Sequence, residues 1–595
     1  MATALQHRGP DGEGFFISEN QTVGFAHRRL SVIDLSAQAA QPFNYLHYTI
    51  TYNGEIYNYI ELRDFLKQKG FVFTTQSDTE VILAAYSFWG NNCVQQFDGM
   101  FAFAIYDAQK NEVFIARDAY GEKPFYYYVS KDDNSFHFAS EMKALWSIGV
   151  EKQVNNLQLL NYITIGYTSN PIDASQTFYS NIKNLPAGHF IVIKNYELKI
   201  KNWRIVDNEK QATRNEKPET IVEQFENLLT TSIAKRLRSD VAVGTSLSGG
   251  IDSSSIVAII NQLAQKERYK PQAFTASFPN FKNDETNYSK QVAAHLHLQQ
   301  YFTSPDEFDL VNEFETLMYH QEEPIQSASI FTQYMVYKLA KEKDIIVLLD
   351  GQGADEVLGG YKKYANWFLQ ETLRNNLSVF KKEKALLFAN DFLESWNYKN
   401  YFAAFLPKFT SQQLQSRAIH QQNINQLINK DFLHQYQNTA TLQKPIVKNL
   451  QDILNYNTNT FGLNDLLRYA DRNAMAHSRE VRLPFLNKDL VNFVASLPSS
   501  YKIKDGFTKW ILRESIKNKL PSEIVWRKGK IGYEPPQKLW MQNMQVQEMI
   551  KATRKKLVDF RILNPSILNH IPITAAAHDA NNFDWWILCA AQLIA

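Results

Sequence analysis

Two glycine-rich loops, each placed directly after an apolar run of strand length, constrain the fold of this chain more than any other feature. The first loop, SGGIDS at 248–253, follows VAVGTSL, and the second, DGQGADE at 350–356, follows IIVLL. A further strand-like run, QAFTASF, and helical stretches that begin at Asp252 and Asn287 lie between the two loops. Strands that alternate with helices in this way predict an α/β domain with a doubly wound parallel sheet.

The first loop has the chemistry of a phosphate site. Its glycines let the backbone close around a bulky anion, and the helix that follows points unpaired N–H groups at that anion. Because ligands gather at the carboxyl ends of parallel strands, the second loop is expected to face the first, which would place Asp252 and Asp355 where carboxylates hold Mg²⁺ against a triphosphate. Taken singly, the first loop is also compatible with an ordinary turn capped by Asp252 and Ser253, and Asp355-Glu356 with a solvated helix start.

The residues before this region show a different pattern. Between Gly24 and Tyr128, short runs rich in aromatic and β-branched residues are separated by turn signals, namely HYTITYN, MFAFAIYDA, EVFIARD and PFYYYVS. One helix is predicted after Asn58, ending at Gly70, and another at the segment SDTE at 77–80, whose residues match a capping box. This part is predicted to be an α+β domain of sheets covered by helices.

The two patterns predict two domains. A chain of 595 residues exceeds what one hydrophobic core usually organises. The polar stretch KIKNWRIVDNEKQATRNEKPE separates the patterns and is typical of a linker. The predicted division is therefore a domain at 1–200, a linker at 201–217 and a domain at 218–595.

Composition narrows the classes of function. The 63 Lys and Arg residues nearly balance the 61 Asp and Glu residues, so no overall field favours nucleic acid or an anionic membrane. With two cysteines and apolar runs of strand length, a disulfide framework, a multi-cysteine metal site and a membrane-spanning helix are not indicated. These features predict a cytoplasmic protein with small-molecule partners, and a homodimer is one arrangement left open.

The motifs resemble one family along nearly the whole chain. Ser-Gly-Gly-x-Asp-Ser is the pyrophosphate loop of the N-type ATP pyrophosphatases, and together with DGQGADEVLGGY and AHSREVRLPFLNKDLVNF it resembles glutamine-hydrolysing asparagine synthetases. The N-terminal half resembles the same family in HRGPDGEG, HRRLSVIDLS, YNGEIYN, QSDTEVIL, GMFAFAIYD and ASEMKAL. The resemblance implies a glutaminase of the N-terminal-nucleophile hydrolase type, with stacked antiparallel sheets between helices, followed by a synthetase of the ATP pyrophosphatase type.

The resemblance implies that ATP adenylates the β-carboxylate of aspartate, releasing pyrophosphate, and that ammonia then displaces AMP to give asparagine. It also implies that Mg²⁺ binds at Asp252 and Asp355 and that Lys509 steadies charge on the transferring group. Without the family, Lys509 is equally compatible with an exposed helical lysine. Leu247 and Ala276 would line the adenosine pocket. The full implied ATP site is Leu247, Ser248, Gly249, Gly250, Asp252, Ser253, Ala276, Asp350 and Gly351.

One position departs from the family. Many relatives have Ser-Gly-Glu-Gly-(Ser/Ala)-Asp-Glu where this chain has DGQGADE, and the glutamate at the position of Gln352 is linked to formation of the acyl-adenylate. Gln352 can hydrogen-bond but carries no charge. Asp350 is one local source of the missing carboxylate. A second explanation is an acceptor other than aspartate, in a sugar-acid, lactam-forming or peptide-forming enzyme. Apart from this position, a different class of function also stays open, a non-catalytic glutamine or nucleotide sensor.

The glutaminase half is implied to hold glutamine and to stabilise a tetrahedral oxyanion. Asn53 and Gly54 would form the oxyanion hole. Arg29 and Asp78 would bind the carboxylate and ammonium of glutamine, although Arg29 taken singly is also compatible with a surface arginine and YNGEIYN with a β-turn. The implied glutamine-binding residues are Arg29, Leu30, Ser31, Val32, Ile33, Asn53, Gly54, Glu55 and Asp78.

The nucleophile of this half is not found. In the family it is a cysteine at the mature N-terminus, on a strand some tens of residues before the HRGPDG turn, whereas Met1 lies six residues before His7. Cys93 lies mid-chain without an adjacent α-amine and is expected to pack in the core. We therefore expect that a strand and a helix are missing before Met1, that the segment to Leu5 is the tail of that helix, and that the chain uses free ammonia.

Overall fold

The structure, a computed structural model, describes residues 1–204, 216–267, 271–407, 422–437, 446–529 and 532–594. The first of these stretches is a layered α+β arrangement. Its strands are β1 (Gly12–Ile17), β2 (Gly24–Arg29), β3 (Phe43–Tyr45), β4 (Tyr48–Ile56), β5 (Gly99–Asp107), β6 (Glu112–Arg117), β7 (Tyr126–Val129), β8 (Phe136–Ala139), β9 (Lys183–Asn184), β10 (His189–Lys194) and β11 (Glu197–Asn202). Its helices are α1 (Tyr59–Gln68), α2 (Asp78–Trp89), α3 (Met142–Trp146) and α4 (Asn156–Ile165).

Two layers of strands enclose the core of this N-terminal half. One antiparallel sheet has the order β11, β10, β6, β5, β4 and β3, and the facing layer consists of the β1–β2 hairpin and a sheet of order β8, β7 and β9. Phe25 of the hairpin and Ile115 of β6 are buried between the layers. On the outer face of the larger sheet, Ile82 of α2 packs with Phe103 of β5. The predicted sheets covered by helices are confirmed.

The C-terminal half contains the predicted parallel sheet. Its strands are β12 (Val243–Ser246), β13 (Gln272–Ala276), β14 (Gln299–Thr303), β15 (Val347–Leu349) and β16 (Glu480–Arg482), followed by the short hairpin β17 (Ile503–Lys504) and β18 (Phe507–Thr508). The first five are all parallel, in the order β14, β13, β12, β15 and β16. The doubly wound α/β prediction is confirmed.

Helices cover the parallel sheet and form most of the remaining structure. Those that precede β16 are α5 (Pro218–Arg236), α6 (Ile251–Glu267), α7 (Thr286–His295), α8 (Glu307–Gln321), α9 (Ser329–Glu342), α10 (Ala354–Leu358), α11 (Lys362–Asn375), α12 (Leu377–Ala389), α13 (Tyr398–Phe405), α14 (Gln422–Asn425), α15 (Lys430–Gln437), α16 (Leu450–Asn459) and α17 (Leu463–Ala476). Those that follow are α18 (Lys488–Ser496), α19 (Trp510–Ile516), α20 (Ser522–Val525), α21 (Gln537–Trp540), α22 (Met544–Asp559) and α23 (Phe583–Ala590).

The start of α2 is where it was predicted, but the predicted capping box is wrong. The Ser77 hydroxyl accepts the N–H of Thr79 at 3.1 Å, as a cap does. The carboxylate of Glu80, which a box would direct at the Ser77 N–H, instead accepts the backbone N–H groups of Thr74 and Thr75, each at 2.8 Å. The loop before the helix folds back over the first turn, so its own unpaired donors take the glutamate.

Ordered structure of the N-terminal half extends past residue 200. β11 runs to Asn202, and the buried Trp203 donates its indole N–H to the Arg117 carbonyl at 3.1 Å. Most of the expected linker, 205–215, lies outside the described residues, so the division at 201–217 stays a prediction. None of the helices in the described ranges has the length and apolar character needed to cross a membrane.

The two halves are joined by buried ion pairs as well as by apolar contacts. Arg8, in the HRGPDG turn, donates to both carboxylate oxygens of Asp471 at 2.8 and 3.0 Å and to Glu141 at 2.8 Å. Arg472 pairs with the same Glu141 at 3.0 Å and with Glu322 at 2.7 Å. These contacts fix the N-terminal half against α17 of the C-terminal half.

Candidate active sites

A cavity of about 500 Å³ lies at the carboxyl ends of β12, β13 and β15. Both glycine loops line it, and so does α19, which comes from much later in the chain. The cavity therefore brings together segments that are separate in sequence. All the residues implied to bind ATP, metal or acceptor line it, namely Leu247, Ser248, Gly249, Gly250, Asp252, Ser253, Ala276, Asp350, Gly351, Gln352, Asp355 and Lys509.

The backbone of the first loop requires glycine. Gly249 has a φ of +82°, and a Cβ placed there would lie 2.5 Å from the backbone nitrogen of Ser289. Within the loop, the Ser248 hydroxyl accepts the N–H of Gly250 at 3.2 Å, and α6 begins immediately afterwards at Ile251. The loop is thus a tight turn that leads into a helix N-terminus, as a phosphate site requires.

The second loop touches the first. A Cβ on Gly351 would lie 2.9 Å from the Cβ of Asp252, so the two backbones approach as closely as glycine allows. This contact agrees with the expectation that the carboxyl ends of β12 and β15 place their loops face to face.

Three charged side chains meet where the two loops converge. The ammonium of Lys509 lies 2.6 and 2.5 Å from the two carboxylate oxygens of Asp252 and 2.6 Å from Asp355. Lys509 is only 3% exposed, and the two carboxylates raise its pKa against the opposing effect of burial. The alternative of an ordinary exposed helical lysine is therefore wrong. Gly360 packs against this cluster, because a Cβ there would lie 1.8 Å from Asp355 Oδ1 and 2.0 Å from Lys509 Cε.

A second cavity, of about 520 Å³, lies in the N-terminal half. Its lining includes residues of β1, β2, β4 and β8 and residues 102–104 of β5. Ser31 does not line it, and its N–H donates to the carboxylate of Asp11 at 2.8 Å. The other implied glutamine-binding residues all line it, namely Arg29, Leu30, Val32, Ile33, Asn53, Gly54, Glu55 and Asp78.

The two charged groups expected to bind glutamine already have protein partners. Arg29 donates to the backbone carbonyls of Ser36, at 2.9 Å, and of Asp34. The buried carboxylate of Asp78 accepts the Tyr52 hydroxyl at 2.8 Å and the Ile56 N–H at 2.9 Å, and burial raises its pKa. Both side chains therefore shape the cavity wall, and Arg29 is not a free surface arginine.

The expected oxyanion hole is built on a strained glycine. Gly54 has a φ of +149°, and a Cβ there would lie 2.0 Å from the carbonyl oxygen of Met100. The side-chain amide of Asn53 lies at the same edge and donates to the Ser140 hydroxyl at 3.4 Å. YNGEIYN therefore belongs to β4 and the turn after it, and it is not an isolated β-turn.

No cysteine lines this cavity among the residues that the structure describes. Cys93 is fully buried in the core beneath α2, where burial raises the pKa of its thiol, and Cys589 is buried in the C-terminal half. Cys93 packs, as expected, and is not placed to attack a substrate.

Sequence comparison decides the family. A family model described as asparagine synthase matches residues 224–594, and one described as a glutamine amidotransferase domain matches residues 1–204. The chain belongs to the asparagine synthase family. Because the amidotransferase match begins at residue 1, it gives no support to the expectation that a strand and a helix are missing before Met1.

Named relatives extend across most of this asparagine synthase-family chain. Asparagine synthetase [glutamine-hydrolyzing] 1 of Bacillus subtilis is 30% identical, with 91% of this chain and 84% of the relative covered. A putative asparagine synthetase [glutamine-hydrolyzing] of Mycobacterium tuberculosis is 30% identical, with 92% and 85% covered. A solved PRPP amidotransferase of B. subtilis is 16% identical over 59% of this chain and 77% of that one, with a TM-score of 0.26, a likeness too low to carry an inference.

Two carboxylates converge at one point of the cavity that the glycine loops line, those of Asp252 and Asp355. Within the described ranges, no group of three or more His, Cys, Asp or Glu side chains could hold an ion by itself. Asp252 and Asp355 converge on one point, which Lys509 also reaches. Two carboxylates completed by substrate phosphates and water are the donor set that Mg²⁺ commonly takes, so these residues fit the metal that the sequence predicts.

The two chain-specific residues of the second loop differ in their surroundings. The Asp350 carboxylate accepts the Tyr337 hydroxyl at 2.6 Å, and burial raises its pKa. Gln352 lines the cavity, and its amide oxygen has no hydrogen-bond partner among the described residues. Gln352 thus has an unpaired amide acceptor at the cavity, whereas Asp350 is bound to Tyr337 at the end of β15.

Sequence reasoning missed several residues of the family's synthetase cavity. Glu285 precedes α7, Arg513 lies in α19, and Arg527 follows α20; all three line the cavity. No local motif marks them, because they arrive through helices packed beside the sheet and not through the loops at its strand ends. For Arg527, the basic string WRKGK at 526–530 was the available sequence signal.

Proposed function

We propose that this chain is an ATP-dependent asparagine synthetase that converts aspartate to asparagine through a β-aspartyl-AMP intermediate. The observation that carries the proposal is the convergence of the phosphate loop with Asp252, Asp355 and Lys509 in one cavity. The named function of relatives that align with most of the chain supports the same reaction.

In the first step, an oxygen of the aspartate β-carboxylate bonds to the α-phosphorus of ATP, and pyrophosphate leaves with the electron pair of the broken bridging bond. The backbone N–H groups of 248–253 hold the leaving group at the helix N-terminus. Lys509 neutralises charge that develops on it. Asp252 and Asp355 would hold Mg²⁺, which would supply further charge neutralisation. Ammonia then adds to the acyl carbon and AMP leaves.

In the glutaminase half, Asn53 and Gly54 stabilise the oxyanion, while Arg29, Asp78 and the neighbouring backbone position glutamine. The cavity that β2 and β8 line lacks a thiol from the described residues. Because Cys93 and Cys589 are both buried outside this cavity, we propose that the chain uses free ammonia.

The test is product analysis after incubation with ATP, Mg²⁺, ammonium and aspartate. We expect asparagine, AMP and pyrophosphate in equal amounts by mass spectrometry. Release of pyrophosphate that does not depend on aspartate, but does depend on a sugar acid or peptide acid, would indicate the related amide-forming alternative. ATP binding without any turnover would indicate a sensor.

The proposal also covers the domain division, the cellular location and the oligomeric state of the chain. We propose domains at 1–200 and 218–595 with a linker at 201–217, a cytoplasmic location and a homodimer. Limited proteolysis should cut first within 201–217, and light scattering of the purified chain should give twice the mass of 68.8 kDa. A first cut elsewhere, or a monomeric mass, would contradict these points.

A further inference from the structure

Arg527 holds an unusual position in the synthetase cavity. Its guanidinium pairs through Nη2 with Glu285 and stacks on the ring of Tyr288, with 4.3 Å from Cζ to the ring centroid. Its other terminal nitrogen, Nη1, is buried and has no hydrogen-bond partner among the described residues. Leaving a buried charged donor unpaired is costly, so such a group commonly marks the place of a ligand acceptor.

Tyr288 connects Arg527 to the phosphate loop. A Cβ on Gly249 would lie 2.7 Å from the Cβ of Tyr288, so the loop rests directly on this residue. The guanidinium stacked on the Tyr288 ring is therefore one side chain away from the loop that surrounds the phosphates. Arg527 lines the same cavity as that loop.

A second arginine increases the positive charge at this wall. Arg513 also lines the cavity, and its guanidinium donates to the carbonyl oxygens of Thr508, at 2.8 Å, and Val525. Burial lowers the pKa of Arg513 to about 10, with the nearby charge of Arg527 adding to the shift and Asp252 opposing it. A polyanion bound between the loop and these arginines would relieve the repulsion between them.

We propose that Arg527 is a pyrophosphate-binding residue that donates to oxygens of the leaving group during adenylation. The proposal rests on the proposed function, because it assigns Arg527 to the first step of that reaction. Glu285 and Tyr288 hold the planar guanidinium of Arg527 in one orientation. Its N–H donors are therefore already directed at the leaving group before that group forms. Arg527 thus acts from the part of the cavity wall where Glu285 also lies.

The test is calorimetric titration of the full chain with inorganic pyrophosphate and Mg²⁺. Arg527→Met is expected to weaken pyrophosphate binding by roughly tenfold to a hundredfold, because it removes a charge-assisted hydrogen bond. Arg527→Lys is expected to weaken it by roughly threefold to tenfold, because the charge stays while the planar fork is lost. Lys528→Met is the matched control, because Lys528 is the exposed neighbour and does not line the cavity.

Two outcomes would contradict the proposal. Equal pyrophosphate affinity in Arg527→Met and the unaltered chain would overturn it, and so would a raised KM for aspartate with unchanged pyrophosphate affinity, which would assign Arg527 to the acceptor. If Arg527→Met does not fold, Arg527→Lys decides by the same measurement. Absence of pyrophosphate binding by the unaltered chain would instead contradict the proposed function itself.

Discussion

The two cavities have nearly the same volume, about 500 and 520 Å³, but they differ in what their charged groups do. In the synthetase cavity, Asp252, Asp355 and Lys509 bind one another at the point where the loops converge. In the glutaminase cavity, Arg29 and Asp78 bind the surrounding backbone, and no thiol from the described residues reaches the oxyanion hole. The comparison teaches that the shape of a site and its reactive group are encoded separately.

Glycines explain why each cavity has its shape whether or not a reactive group lines it. Gly54 and Gly249 each hold backbone in conformations or contacts that no other residue tolerates, so each cavity wall follows from local sequence. The reactive groups of the synthetase lie on the same strands and helices as those walls. In the glutaminase half no thiol from the described residues lines the cavity, so the cavity forms without one.

The largest expected effect concerns the source of nitrogen. Purified chain of these 595 residues should make product from ammonium, with a rate that rises toward alkaline pH as free ammonia increases. Glutamine hydrolysis should be roughly 10⁴-fold or more below that of a form carrying a thiol nucleophile, because no other group forms the thioester. Glutamate release and product formation measure the two activities.

Cys93→Ala is the control for this difference. Because Cys93 is buried outside the cavity, its replacement should leave ammonium-dependent and glutamine-dependent rates in the same ratio. Efficient glutamine-dependent synthesis by the unaltered chain would show that the comparison between the two cavities is wrong.

The next effect is expected at the charged cluster. Asp252→Asn removes one of the two carboxylates that meet Lys509 and the proposed metal, while Asp355 remains to hold the lysine. ATP–pyrophosphate exchange should fall by roughly 10²-fold or more. Asp489→Asn, at an exposed position in the first turn of α18, is the matched control and should leave exchange unchanged. Near-normal exchange in Asp252→Asn would show that this charged cluster does not take part in adenylation.

Gly360→Ala tests whether the cluster needs its close packing. The added methyl would lie 1.8 Å from Asp355 Oδ1 and 2.0 Å from Lys509 Cε, so both side chains must move. The rate of adenylation should fall by roughly tenfold to a hundredfold, because displacement of about 1 Å suffices to misalign a reacting group. Gly12→Ala is the control. Its added methyl would lie 3.8 Å from the Cβ of Arg29, an ordinary van der Waals distance, so the rate of adenylation should not change. Equal rates in both variants would show that the lysine tolerates movement.

These residues also show how far the sequence could predict the site. The two glycine loops, and the succession of β12, β13 and β15 along the chain with helices between them, could be predicted from patterns confined to short segments. The contact of Lys509 with Asp252 joins residues 257 positions apart, and Arg527 depends on packing of α20 beside the sheet. Local periodicity cannot place such contacts, so the family resemblance was needed for Lys509, and the basic string WRKGK at 526–530 was the one local signal near Arg527.

The same limit applies in the N-terminal half. The start of α2 was predictable from its capping serine, but the partner of Glu80 was not, because it depends on how the preceding loop folds back. All the implied glutamine-binding residues except Ser31 line one cavity, and no local pattern shows that the Ser31 N–H donates to Asp11.

A smaller effect is expected at the acceptor. Gln352→Glu places a negative charge where an amide now faces the cavity, so it should change the apparent affinity for aspartate by roughly threefold to tenfold and the affinity for ATP less. Steady-state KM values for both substrates measure this. Gln326→Glu, at an exposed position outside the cavity, adds the same charge as a control. An equal change for both substrates in Gln352→Glu would show that residue 352 is not part of the acceptor pocket.

The smallest effect concerns stability at the junction of the two halves. Burial raises the pKa of Glu122 to about 8, with Asp118 adding to the shift and Arg236 and Lys123 opposing it. Between the ordinary carboxyl pKa and about 8, the unfolded chain is ionised while the folded chain keeps the proton, so stability must fall as pH rises through this window. Glu122→Gln removes that dependence and should unfold about 1–3 °C higher than the unaltered chain at pH 8.5, with a smaller gap at pH 6. Calorimetry at both pH values measures the gap. A gap that stays constant with pH would show that Glu122 is ionised in the folded protein and is neutralised by Arg236.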